Sequence, residues 1–137
     1  MMLQVELRID VSTIEWNAGF ITGNVYLQVG DQCFPTKGWT DNIALVLAWW
    51  LDNIATKEWD FFFMQGSYAF TAIHSQLHLL ANYKAQSTVV VDLDILYTSI
   101  VTRAQEVIQY LYANGYNQDD FADLEASYNR LKQDRLA

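Results

Sequence analysis

The stretch FPTKGWTDNIALVLAWWLDNIATKEWDFFFMQG, Phe34 to Gly66, decides how this chain is read. It holds four of the five tryptophans, the only proline and the run Phe61-Phe62-Phe63. Pro35 cannot donate to a ladder and biases Phe34 toward an extended backbone, so Phe34 to Gly38 is predicted as a loop. Thr40 or Asp41 is then placed to cap a helix over 42–55. Ile43, Leu45, Val46, Leu47, Trp49, Trp50, Leu51 and Ile54 surround most of that helix. A helix apolar nearly all round is covered on more than one side. Trp49 and Trp50 lie about 100° apart on it, so only one can face the sheet. Trp59 to Gln65 follows as a strand with Trp59, Phe61 and Phe63 on one face and Phe62 and Met64 on the other, the pattern of a central strand covered twice.

Working outward, Leu3, Val5, Leu7 and Ile9 alternate with Gln4, Glu6 and Arg8, which predicts a half-buried strand. Asp10 to Thr13 reads as a turn. Phe20-Ile21-Thr22, Gly23-Asn24 and Val25 to Val29 read as a hairpin, with Gly-Asn supplying positive φ. Beyond the central stretch, Gly66-Ser67 suits a tight turn, and Tyr68 to His74, Leu77 to Tyr83 and Ser87 to Leu93 suggest an antiparallel meander. Asp94 is placed to cap a long helix to Ala113, stopped at Asn114-Gly115. Asp119 and Asp120 open a last helix with Phe121, Leu124, Tyr128 and Leu131 on one face. The fold class predicted is α+β: an antiparallel sheet of about six to seven strands packed with three helices, one buried and central and two C-terminal. Residues 1–137 are read as a single domain.

Composition narrows the function classes. Sixteen acids against eight bases give a net charge of −8, and the surplus is spread evenly along the chain. An acidic field opposes nucleic acid and anionic membranes and favours a basic partner. One cysteine, Cys33, cannot form an internal disulfide, and the N-terminus has no basic region followed by an apolar run. The longest uninterrupted apolar run is too short for a membrane helix. The expectation is a cytoplasmic, soluble protein.

No catalytic site, metal site or cofactor is predicted. His74 and His78 are four residues apart, but zinc needs three or four ligands and no carboxylate lies between Asp60 and Asp92. Ser67 and Ser75 lack a nucleophile elbow, and Cys33 has no basic neighbour closer than Lys37. Asp41, Asp52, Glu58 and Asp60 stand out because they are threaded through the most apolar part of the chain. Three readings stand for them: exposed acids at the ends of elements, a general acid whose pKa is raised among aromatics, or the rim of a protein interface, where acids surround aromatic anchors. On the interface reading the predicted partner-binding residues are Asp41, Asp52, Glu58, Asp60, Trp50, Tyr68, Asp119 and Asp120.

The sequence F-P-x-x-G-W-x-D over Phe34 to Asp41, then Trp49-Trp50-Leu51, then Phe63-Met64-Gln65-Gly66-Ser67-Tyr68, with two closing helices, resembles a group of small acidic bacterial immunity proteins. These accompany polymorphic or contact-dependent toxins. The group's aromatic strand ends F-M-D-G-P-Y; here Gln65 and Ser67 replace the Asp and Pro, so no role is carried onto Gln65. The resemblance covers roughly residues 34–68. It implies a non-catalytic protein that binds and neutralises a cognate toxin, and the acidic surface suits a basic, nuclease-type one. Two other readings stand beside it. One is a ligand-binding module or small enzyme with a pocket lined by Trp39, Trp50, Trp59 and Tyr68. The other is a homo-oligomeric adaptor, a homodimer for instance, using surplus aromatic surface.

Overall fold

A computed structural model describes the backbone of residues 2–136 and the side chains of residues 2–134. It is an α+β fold of three α-helices and two antiparallel sheets of four strands each. The first sheet holds β1 (Val5–Asn17), β2 (Phe20–Val29), β3 (Gln32–Phe34) and β4 (Thr40–Asp41), with β3 and β4 both paired to β2. The second is a meander of β5 (Asp60–Phe62), β6 (Tyr68–Ile73), β7 (Gln76–Ala81) and β8 (Lys84–Val90). A parallel bridge from Leu3 to Val91 joins them. Helix α1 (Ile43–Thr56) runs between the sheets in sequence; α2 (Leu93–Ala113) and α3 (Ala122–Leu136) close the fold. No helix of the described residues is long and apolar enough to cross a membrane.

Three hairpins use two-residue turns with both residues at positive φ: Ala18-Gly19, His74-Ser75 and Asn82-Tyr83. Such turns match the right-handed twist of the strands. Gly23-Asn24 is therefore not the turn; it lies inside β2, opposite Asp41 and Thr40 of β4. There glycine meets a different need, since a Cβ at Gly23 would lie 3.0 Å from the Ile14 side chain. Asp10 to Thr13 is a register irregularity within a long β1 rather than a turn. Asp10 Oδ1 accepts from both the amide and the hydroxyl of Ser12, and Thr13 Oγ1 donates to Asp10 O, so local side chains replace the ladder.

Helix α1 is buried on several sides, as its sequence requires. Ile43, Val46, Leu47, Trp50 and Leu51 join a core with β2, β5, α2 and α3. Trp50 is fully buried, and Trp49 is 40% exposed. Trp50 makes edge-to-face contacts with Phe63 at 5.1 Å and Phe70 at 5.2 Å.

Strand β5 is an edge strand of three residues, not a central one. Phe61 and Phe63 point into the core, while Phe62 and Met64 are exposed. Its unpaired edge is covered by α1: Trp50 Nε1 donates to Phe62 O at 2.9 Å, and Asn53 Nδ2 to Asp60 O at 2.6 Å. The β1 edge is treated similarly, with Leu7 N donating to Ser99 Oγ of α2 at 2.8 Å. Closing edges in this way removes templates for mispairing.

The helix starts differ from expectation by small shifts. Asp92, not Asp94, caps α2, accepting from the amides of Asp94 and Ile95. Asn117 Oδ1 accepts from Asp119 N and starts a 3₁₀ turn (Gln118–Phe121) that leads into α3.

Candidate functional site

The structure separates the predicted partner-binding residues into three groups. Asp41 and Trp50 are removed from the surface altogether. Asp41 is 1% exposed and acts as an internal clasp. Its carboxylate accepts from Asn42 N at 2.7 Å, Trp39 Nε1 at 3.1 Å and Gln65 N at 3.1 Å. It does not cap α1, whose N-cap, Asn42, has no side-chain cap bond. Gly66 sits beside the clasp at φ +69, and a Cβ on it would be 3.0 Å from Tyr68 and 3.3 Å from Trp39. The segment linking β5 to β6 is thus held by a buried charge and a close aromatic contact.

The second group lies near the C-terminal end of α1 and on β5–β6. Asp52 is paired with Arg130 of α3 at 2.8 Å and is half-exposed. Glu58 is exposed. Asp60 is exposed, and Tyr68 is half-buried against Trp39 and Phe34. Asp60 and Tyr68 both line a groove on the outer face of the second sheet. The pocket expected among Trp39, Trp50, Trp59 and Tyr68 is not assembled from that set. Trp39 and Trp50 belong to the core packing, and Trp59 stacks on Tyr97 at 5.7 Å. Burial, then the charge of Asp94, raises the Tyr97 phenol above its ordinary range.

The third group is where acids and exposed aromatics meet. Asp119 and Asp120 lie on the 3₁₀ turn and Asp123 in the first turn of α3, all exposed. Phe121 anchors this turn from below, fully buried and edge-to-face with Tyr112 at 5.1 Å. Glu125 holds the turn from behind, accepting from Tyr112 OH and Gln118 Nε2. That bond raises the Tyr112 phenol above its usual range, with burial and the Glu125 charge adding to it.

The β1–β2 hairpin tip is packed beside this turn. Tyr116 OH donates to Ile14 O at 3.4 Å, fastening the loop after α2 to β1. Trp16 and Phe20 flank the tip and are 55% and 52% exposed. Two depressions result. One, of about 180 Å³, is lined by Phe20, Leu45, Asp119, Asp120 and Asp123; the other, of about 360 Å³, by Trp16, Tyr116 and Asp120. Asp120 borders both. Among the described residues, neither depression is lined by a lysine or arginine.

Sequence reasoning found Asp119 and Asp120 but missed Trp16 and Phe20. Trp16 lies outside the tryptophan-rich stretch, and misplacing the hairpin turn at Gly23-Asn24 hid the tip. The A-G pair at 18–19, between alternating residues, was the available signal. His74 sits in a turn at φ 50, whereas His78 is on β7 with Nδ1 2.9 Å from Thr88 Oγ1. Among the described residues, no group of three or more His, Cys, Asp or Glu is arranged to hold a metal ion. Compared with known proteins, the chain matches no family model, and neither a curated protein nor a solved structure was found similar to it.

Proposed function

We propose that this chain is a non-catalytic, cytoplasmic immunity protein that binds and neutralises a cognate bacterial toxin domain of basic, nuclease type. The observation that carries the reading is the acidic surface around Asp119, Asp120 and Asp123, with Trp16 and Phe20 exposed beside it. Exposed aromatics next to charge are the usual composition of binding hot spots. A net charge of −8 extends the attraction beyond contact and speeds capture of a cationic surface. In this reading Trp16 and Phe20 supply the apolar anchors, and the three aspartates fix register against lysines and arginines. Neutralisation follows from occlusion of the toxin's active site or its path to substrate.

The test is co-expression with the product of the neighbouring toxin-like gene, followed by co-purification and a growth-protection assay. Protection with a stable complex is expected. Asp119→Lys with Asp120→Lys is expected to slow association by ~10-fold or more and to flatten its salt dependence. Trp16→Ala is expected to speed dissociation. Absence of both complex and protection overturns the function. A complex indifferent to all three substitutions overturns the assigned surface alone.

A further inference from the structure

The outer face of the second sheet carries a site built on different residues. Register places Phe62, Ala69 and Leu80 side by side across β5, β6 and β7. A small residue between two large ones leaves a notch whose floor is Ala69. One row along, Asp60, Thr71, His78 and Thr88 are in register. Thr71 Oγ1 donates to Asp60 Oδ1 at 2.8 Å and so orients the carboxylate. The resulting groove has a volume of about 390 Å³. That lies within the range of small-molecule sites, which are mostly apolar with a few placed polar groups. Among its lining residues Asp60 is the one charged group.

Tyr83 supplies an independent observation. It borders the groove and, among the described residues, is the most exposed of the large hydrophobic ones, at 79%. It also occupies the second position of the β7–β8 turn, at φ 63 after Asn82 at φ 53. Glycine meets that conformation without strain, and a bulky aromatic does not. The free protein thus holds a strained residue with its ring in water. Strain of this kind collects at ligand clamps.

We propose that the groove binds a small organic cation with an apolar or aromatic body. The cationic end meets Asp60, and the body rests in the notch between Phe62 and Leu80 with Tyr83 over it. One carboxylate gives one charge to match, and aromatic faces favour a cation over a neutral body of the same shape. The assignment does not depend on the toxin-binding reading, which uses other residues.

The experiment is a titration of the intact protein with benzamidine and with its neutral near-isostere benzamide, followed by amide NMR spectra. Benzamidine is expected to shift the amides of β5, Ala69–Thr71 and Tyr83, and to bind ~10-fold more tightly than benzamide. Asp60→Asn keeps the acceptor for Thr71 and is expected to erase that difference. Ala69→Leu fills the notch and is expected to weaken both ligands by ~10-fold. Tyr83→Gly is expected to weaken benzamidine several-fold while the Tm stays level or rises. A merely structural tyrosine would give the opposite: a lowered Tm with affinity unchanged. Equal affinity for the two ligands, or no groove shifts at millimolar benzamidine, overturns the proposal.

Discussion

Replacing Asp41 with alanine tests whether the centre of the aromatic stretch is a clasp or a binding determinant. The substitution removes a carboxylate that accepts from Asn42 N, Trp39 Nε1 and Gln65 N. Asn42 is buried, so its amide is left without water and costs about 1–3 kcal/mol. Trp39 is half-buried, and its indole N–H contributes toward the lower end of the same range. Gln65 is exposed, and solvent reclaims most of its amide's loss. The sum is about 3 kcal/mol, which for a chain of this length lowers the Tm by ~10 °C. Asp41→Asn is a sharper control. Both carboxylate oxygens accept from N–H donors, so either amide orientation sets an NH₂ group against a donor. About half the alanine cost is expected from it. Urea unfolding followed by tryptophan fluorescence gives both values by linear extrapolation. A loss below ~1 kcal/mol for Asp41→Ala would refute the clasp. A loss of partner binding with full stability would return Asp41 to the interface.

Gly66→Ala places a Cβ 3.0 Å from Tyr68 at φ +69, and a cost of about 1–3 kcal/mol in the same unfolding assay is expected. The Asp52–Arg130 pair at 2.8 Å is largely exposed, so a double-mutant cycle should return less than ~1 kcal/mol and fall further with salt. Tyr97, Tyr112 and Tyr116 have phenols raised above the usual value near 10, so an ultraviolet titration should show late ionisation steps above that value, with Tyr112→Phe removing one of them. A raised folded value means that the stability linked to Tyr97 is complete below pH ~10 and is lost as pH climbs through its folded value.

Element types were largely legible because apolar periodicity is written into neighbouring residues. Helix α1 was readable from its all-round apolar surface, and α2 from Leu96, Ile100, Ala104 and Leu111. Which sheet a strand joins is decided by distant pairing, so the division into two sheets was not visible. β5 shows the same limit. Three phenylalanines in a row look like a strand covered on both faces, yet Phe62 is exposed because nothing among the described residues covers that side of the sheet. Side chains that bond locally also misled. Asp41 resembles a helix cap in sequence, but its carboxylate takes the indole of nearby Trp39 instead, and the Gln65 amide, 24 residues on, reaches it only once the chain has folded. At the candidate surface the aspartates were readable as a helix start. Their aromatic companions, Trp16 and Phe20, come from more than ninety positions earlier and meet them only through the tertiary fold.

The bond from Leu7 N to Ser99 Oγ also orders events during synthesis. The edge of β1 is translated early, and the hydroxyl that seals it lies 92 residues later. At ordinary ribosomal rates that gap is roughly 5–18 s, during which the β1–β2 hairpin can form but its outer amides remain open. Chaperone occupancy of the nascent chain should therefore peak after β2 has emerged and fall when α2 clears the exit tunnel.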